Sequence, residues 1–177
     1  MIRNEGGIWL SQKKYGLDML MKYGMVDCKP IFTPLDQNLK LRIDEREILD
    51  DATMYRRIVG NLIYMMISRP DLNYAVGLVS EFMQLPRKPH LDAVRRILRY
   101  VRATLDYALF YDAGTQVQVQ SYTDSDWASS SYNRRSTSGY MFFFGSVVVT
   151  WSNKKQPTIA LSVQRQSTKM QQLQLVR

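Results

Sequence analysis

Cysteine and histidine are almost missing from this sequence. Its 177 residues include one cysteine, Cys28, and one histidine, His90. A single cysteine excludes an intramolecular disulfide, and one residue of each type cannot form the Cys/His set of a zinc site. We therefore expect neither a structural metal nor a cofactor.

Long apolar runs are missing as well. No segment approaches the roughly eighteen apolar residues that a membrane-spanning helix needs. Residues 1–10 lack the continuous apolar core and the small-residue cleavage site of a signal peptide. We expect no membrane span, and no secretion signal is visible. Hydrophobic residues still make up 45% of the chain, enough for a core in one domain or two small ones.

Acidic residues are outnumbered by basic ones. The sequence has 24 Lys and Arg against 16 Asp and Glu, which gives a formal net charge of +8. This balance favours acidic partners, with nucleic acid ahead of anionic membrane surfaces. It is equally typical of a surface that serves only solubility, so both interpretations stay open.

The period of the hydrophobic pattern changes near residue 105. Before this point apolar residues recur at helical spacing in segments near 11–23, 51–66, 71–82 and 90–104. An extended connector that contains Pro30 and Pro34 separates the first two segments, because neither proline fits a helix interior. After residue 105, short runs at 107–111, 117–123, 139–144 and 147–151 are typical of an antiparallel β-meander. The pattern predicts an α+β protein.

The fourth helical segment is strongly amphipathic. Its apolar stripe consists of Leu91, Val94, Leu98, Val101 and Leu105. Four arginines lie together beside this stripe: Arg95, Arg96, Arg99 and Arg102. One hypothesis is a phosphate-binding surface, supplemented by Lys154 and Lys155, that binds nucleic acid weakly and in a salt-dependent way. The other is a solvated helix flank whose aliphatic stems cover the core.

Several sequence blocks resemble one known family. In the second half they are T-D-S-D-W-A at 123–128, R-R-S-T-S-G-Y at 134–140 and W-S-N-K-K-Q at 151–156. Upstream they are L-S-Q-K-K-Y at 10–15, R-R-I-V-G-N-L at 56–62 and S-R-P-D at 68–71. Their order resembles the polyproteins of copia-type retrotransposons, where the reverse transcriptase is followed by a ribonuclease H domain.

The resemblance extends to about Ser162 and implies three parts. Residues 1–105 resemble the helical region that follows the reverse-transcriptase palm. Residues 106–162 resemble a truncated ribonuclease H domain with an incomplete antiparallel meander. Residues 163–177 form a Gln-rich basic tail, for which we expect a frayed helix or disorder.

The resemblance also implies where metal-binding carboxylates should lie. Asp124, expected at a strand end, matches the first ribonuclease H carboxylate, whereas Asp126 is more typical of a turn or cap. The second carboxylate, a glutamate, belongs within 163–168, where this chain has V-Q-R-Q-S-T. The family's later aspartates are expected beyond Arg177, and those of the palm before Met1. One carboxylate cannot hold two metals, so we expect no catalysis.

Residues 96–99, Arg96-Ile97-Leu98-Arg99, form an R-x-L-R tetrad. Free-standing chains with this copia-like pattern resemble secreted RxLR effectors of plant-pathogenic downy mildews. That resemblance implies secretion, entry into the host nucleus or cytoplasm, and a host protein partner through which plant defence or cell death is modulated. The predicted helix around the tetrad, with Leu98 in the buried stripe, speaks against an exposed signal. The alternative hypothesis is a functionless or weakly nucleic-acid-binding relic of a retrotransposon polyprotein.

Overall fold

The structure is a computed structural model, and it describes residues 1–36, 38–43, 48–114, 118–126, 137–145, 147–155 and 171–173. At 124–126, 137, 153–155 and 171–173 it describes the backbone alone. These ranges contain four α-helices and two small antiparallel sheets, so the predicted α+β class is confirmed. The chain divides into two compact units, one of Ser11–Ala108 and one of Met1–Leu10 with Leu109–Arg177.

Helices build the unit Ser11–Ala108. They are α1 (Lys13–Lys22), α2 (Thr53–Met65), α3 (Asn73–Ser80) and α4 (Lys88–Ala103). A 3₁₀ turn at Pro70–Leu72 leads directly into α3. The periodic apolar pattern predicted each of these helices, because in a helix residues three and four positions apart share one face.

Polar residues and a glycine set the helix ends. The Ser11 hydroxyl accepts a hydrogen bond from the Lys13 amide at 3.1 Å, and Asp51 accepts one from the Thr53 amide at 2.7 Å. Both lie two residues before their helix rather than directly at its N-cap. Helix α1 ends where Gly24 adopts a φ of +64°, and the Met25 amide bonds back to the Leu20 carbonyl at 2.8 Å. This is a Schellman ending, which favours glycine at that position.

The hydrophobic core of this unit lies between the helices. Its fully buried residues, with no exposed surface, include Leu20, Ile58, Val59, Leu62, Leu72, Val76, Val79, Val94, Ile97, Leu98 and Val101. The predicted stripe of α4 is confirmed at three of these positions, whereas Leu91 and Leu105 are only partly buried beside the core. In α2 the apolar pattern includes Ile63 as well, but this side chain is 41% exposed.

The first sheet corrects two expectations. Residues 1–10 are not helical: β1 (Ile2–Asn4) and β2 (Gly7–Ser11) form an antiparallel hairpin. Strand β3 (Ala108–Asp112) pairs with β2 rather than with the later strands, in the order β1-β2-β3. The rings of Trp9 and Phe110 stack across this sheet with centroids 4.3 Å apart. Alternation near residue 107 identified a strand, but its partner lies about a hundred residues earlier in the chain.

The second sheet contains the predicted meander. Strands β4 (Val119–Asp126), β5 (Thr137–Phe144) and β6 (Val147–Lys155) pair in succession, all antiparallel. A fourth strand, β7 (Gln171–Leu173), pairs with the other edge of β4. The expectation of a frayed helix or disorder is therefore wrong for residues 171–173, while residues 163–170 and 174–177 lie outside the described ranges.

Candidate functional site

The R-x-L-R tetrad lies inside helix α4. Ile97 and Leu98 are completely buried in the core, which confirms the predicted burial of Leu98. Arg96 and Arg99 lie on the flank and are partly exposed. Only the two arginines of the tetrad therefore reach the surface, and they do so from a regular helix rather than from an extended segment.

Three arginines of α4 bond to the proline-containing segment 26–36, which we call the connector. Arg96 Nη2 donates to Thr33 Oγ1 at 2.9 Å. Arg99 Nε donates to the Lys29 carbonyl at 2.7 Å. Arg102 Nε donates to the Val26 carbonyl at 2.7 Å. Partners earlier in the connector bind arginines later in the helix, so the connector runs antiparallel to α4.

Two further contacts join the connector to α4. The Ile31 amide donates to the Arg99 carbonyl at 3.3 Å, and Arg96 Nη1 lies 3.8 Å from Asp36 Oδ2. The prolines at 30 and 34 favour the extended backbone that such pairing needs, because each restricts the residue before it. The arginine flank is thus in contact with the chain's own backbone.

The remaining candidate phosphate ligands are placed differently. Arg95 is exposed and pairs with Asp92 within α4 at 3.5 Å. Lys154 and Lys155 end strand β6, and their side chains lie outside the described part of the structure. Phosphate binding by the arginines and these lysines stays a prediction.

Asp124 lies within strand β4 rather than at its end. It is opposite Gly139 of β5, and β4 continues for two more residues to Asp126. The Asp124 side chain and residues 163–168 lie outside the described residues. Within the described ranges, no group of three or more His, Cys, Asp or Glu side chains is arranged to hold a metal ion.

A buried arginine forms a polar cluster that the sequence pattern did not reveal. Arg69 binds the Asp71 carboxylate through Nε at 2.9 Å and Nη2 at 2.6 Å. It also donates to the carbonyl and the hydroxyl of Thr104, at 3.0 and 2.6 Å. The Tyr100 hydroxyl donates to Asp71 at 2.9 Å. We call these four residues the Arg69 cluster. Burial and the neighbouring Asp71 carboxylate raise the pKa of Tyr100 to about 12.

The Arg69 cluster joins the start of the 3₁₀ turn to the end of α4. Pro70 of the S-R-P-D block at 68–71 does not fit a helix interior, and a 3₁₀ turn begins at this residue. The block itself gave no indication that the Arg69 side chain turns inward, because arginine is rarely buried unless its charge is paired. The arrangement is structural: both charges are balanced inside the helical unit.

His90 forms a second buried polar contact. Its Nδ1 accepts a hydrogen bond from the Arg87 amide at 3.0 Å, so Nε2 carries the proton and donates to the Arg42 carbonyl at 3.0 Å. The ring stacks on Phe82 with centroids 3.8 Å apart. The single histidine of the chain therefore caps α4 and joins it to the loop around Arg42.

Comparisons with known proteins identify relatives in transposons. No family model and no solved structure matches the chain. It is 40% identical over 156 residues to the retrovirus-related Pol polyprotein from transposon RE1 of Arabidopsis thaliana, which is 88% of this chain and 11% of that protein. The chain thus spans about a tenth of the length of such polyproteins.

Two shorter relatives are matched over most of their own length. One is secreted RxLR effector protein 161 of Plasmopara viticola, 42% identical over 109 residues, which is 61% of this chain and 77% of that protein. The other is an uncharacterised mitochondrial protein of Arabidopsis thaliana, 40% identical over 89 residues, which is 50% of this chain and 77% of that protein.

Among the helices in the described ranges, none has the length and apolar character that a membrane span requires.

The transposon polyproteins match nearly the whole chain, including both of its sequence halves. On this likeness the chain belongs to the copia-type retrotransposon Pol family.

Proposed function

We propose that this chain is a non-catalytic, Pol-derived protein that acts by binding. The observation that carries the proposal is the pattern of carboxylates in the sequence. Asp124 occupies the position of the first ribonuclease H carboxylate, whereas the segment expected to supply the second reads V-Q-R-Q-S-T at 163–168. Two-metal cleavage of a phosphodiester needs several carboxylates that converge on the metals.

The same proposal assigns the parts of the chain. The helical unit corresponds to the region after the reverse-transcriptase palm, and strands β4 to β6 correspond to the first strands of a ribonuclease H domain. Support comes from the order of the sequence blocks and from the succession of helices followed by a meander. We propose the division near residue 105, close to the boundary at Ala108 between the compact units.

A nuclease assay tests the absence of catalysis. Purified protein is incubated with an RNA–DNA hybrid and Mg²⁺, and RNA cleavage is compared with that by an Asp124→Asn variant. We expect both proteins to leave the RNA intact. Magnesium-dependent cleavage that disappears in the variant would refute the proposal, because it would show that Asp124 works with carboxylates elsewhere in the chain.

A specific likeness favours one binding role, that of a secreted RxLR-type effector that modulates host plant defence or cell death. The relative from Plasmopara viticola that carries this name is matched over most of its length. The support lies in that overall likeness rather than in the tetrad, since Ile97 and Leu98 are buried in α4. Its partner would be a host protein. The alternative proposal is a relic of a retrotransposon polyprotein that is functionless or binds nucleic acid weakly.

Expression inside plant cells separates these two roles. Cells that produce the chain receive a cell-death elicitor, and the response is compared with that of cells producing an Ile58→Asp variant at equal protein level. Ile58 is completely buried, so a charge there should unfold the helical unit. An effector should alter cell death only as the folded parent chain. Equal responses to parent and variant would favour the relic.

A further inference from the structure

The connector covers the arginine flank of α4 with contacts that lie at the surface. The bonds from Arg96, Arg99 and Arg102 to the connector all join solvent-accessible groups. Surface polar contacts each contribute little, because water competes for both partners. The connector is therefore held by several weak contacts in a row.

Few apolar contacts hold the connector to the core. Val26 and Leu35 pack against the core while staying partly exposed, and Phe32 is 76% exposed. No residue of the connector is fully buried. Segments with few buried apolar contacts open at a lower free energy than the core does. The connector has the features of a segment that can detach while α4 stays folded.

With the connector in place, one donor of Arg96 has no hydrogen-bond partner among the described residues. Arg96 Nε is buried and makes no hydrogen bond among the described residues. A buried donor without an acceptor is destabilising relative to the same donor in water, which would accept its hydrogen bond. This cost weakens the contact between Arg96 and the connector.

We propose that the connector is a releasable strap that occludes an anion-binding face of α4. Arg96, Arg99 and Arg102 follow one another at three-residue spacing, about 4.5 Å of helix rise for each step, and so form one row. When the strap detaches, Asp36 leaves with it, and the row loses the carboxylate that faces Arg96. Three guanidinium groups then face solvent together.

The ligand class that fits this row is a polyphosphate or another chain of phosphate groups. Guanidinium groups bind phosphate oxygens with charge-assisted hydrogen bonds, which are stronger than bonds to neutral carbonyl or hydroxyl groups. An anion that binds only the open state shifts the equilibrium towards it. The strap and the anion therefore compete for the same arginines. This competition does not depend on whether the chain acts in a host cell.

Cys28 offers a direct measurement, because it is the only cysteine and lies within the strap. The rate at which a thiol reagent modifies Cys28 in the full chain is measured with increasing tripolyphosphate at constant ionic strength. We expect a several-fold, saturable increase in rate while the far-UV circular dichroism stays constant. An unchanged or decreased rate would overturn the proposal, as would an increase accompanied by loss of helix.

Two variants complete the test. In an Arg99→Gln, Arg102→Gln double variant, Cys28 should be modified faster than in the parent when no tripolyphosphate is present. Adding tripolyphosphate should then increase this rate much less than in the parent. The control is Lys13→Gln, which removes a charge outside the arginine row that contacts Asp106 and not the strap. We expect the control to keep the parent's basal rate and its response. If the control lost the response as fully as the double variant, general electrostatic attraction would replace the strap as the explanation.

Discussion

At the scale of single residues, buried polar groups make the most specific contacts in the helical unit. The Arg69 side chain is only 5% exposed, and its charge is balanced by Asp71 at 2.6 Å. Burying an arginine is unfavourable unless its donors are satisfied, and here Thr104 accepts two of them. The cluster therefore stabilises the fold only while all its members are present.

We predict that Arg69→Ala lowers the free energy of unfolding by about 3–5 kcal/mol, because Asp71 then keeps a partly buried charge without its partner. Arg69→Lys should recover only part of this loss, since an ammonium group cannot reproduce the two-pronged contact of a guanidinium with a carboxylate. Urea denaturation measures both variants. A loss below 1 kcal/mol for the alanine variant would contradict the role of the cluster.

Tyr55 makes the stability of the helical core depend on pH in the alkaline range. Its side chain is 1% exposed, and its hydroxyl donates to the Val79 carbonyl at 2.5 Å. Burial raises the pKa of Tyr55 well above the usual value of 10.0. The unfolded chain loses this proton near pH 10, while the folded chain keeps it. The folded state thus binds more protons above that pH, and stability falls as pH rises.

We predict a decline in the free energy of unfolding above about pH 10 that is shallower in a Tyr55→Phe variant. At neutral pH this variant should lose about 1 kcal/mol, the contribution of one buried hydrogen bond. Denaturation between pH 7 and about pH 11 tests both statements. Tyr100→Phe is a second variant expected to reduce the slope, because the pKa of Tyr100 is raised to about 12. Parallel pH profiles for parent and variants would contradict this explanation.

At the scale of elements, helix α4 has two faces with different roles. Its apolar face supplies fully buried core residues such as Leu98, whereas its flank binds the connector. Because Arg96 and Arg99 contact the connector and not the core, replacing both by alanine should loosen the connector and leave the helices nearly intact.

We predict that Leu98→Ala lowers the free energy of unfolding by about 2–5 kcal/mol, since it leaves a cavity in the core. The Arg96→Ala, Arg99→Ala double variant should lose about 1–2 kcal/mol, because surface hydrogen bonds contribute little. It should also expose the connector to cleavage by chymotrypsin after Phe32. A double variant as resistant to cleavage as the parent would show that the arginines do not hold the connector.

At the scale of the whole molecule, the hydrophobic cluster between the helices lies within one unit. It runs from Met19 to Val101, entirely within Ser11–Ala108. A unit with its own core should fold alone. We predict that a fragment of residues 11–108 shows helical circular dichroism and cooperative urea unfolding.

A shorter fragment of residues 11–92 serves as the control. It lacks most of α4 and with it Ile97, Leu98 and Val101, so it should not fold. If the longer fragment were also unfolded, the stability of the helices would depend on strands outside the unit.

The amino-acid sequence by itself determined the helices, the meander and the buried stripe of α4. These features depend on neighbours a few positions apart, and the 3.6- and 2-residue periods record them directly. The order of sequence blocks also indicated the family, since blocks such as T-D-S-D-W-A and S-R-P-D can be recognised in the sequence alone.

Tertiary structure alone decided what the arginines contact and which strands pair. Arg96, Arg99 and Arg102 bind partners that are 63, 70 and 76 positions away in the sequence. Strand β3 pairs with β2 although the residues of all four helices lie between them in the sequence. No local period encodes such distant contacts, because a guanidinium group or a strand edge accepts many partners. Packing of the helices brings one particular partner within reach, and here it placed the connector against the predicted phosphate surface.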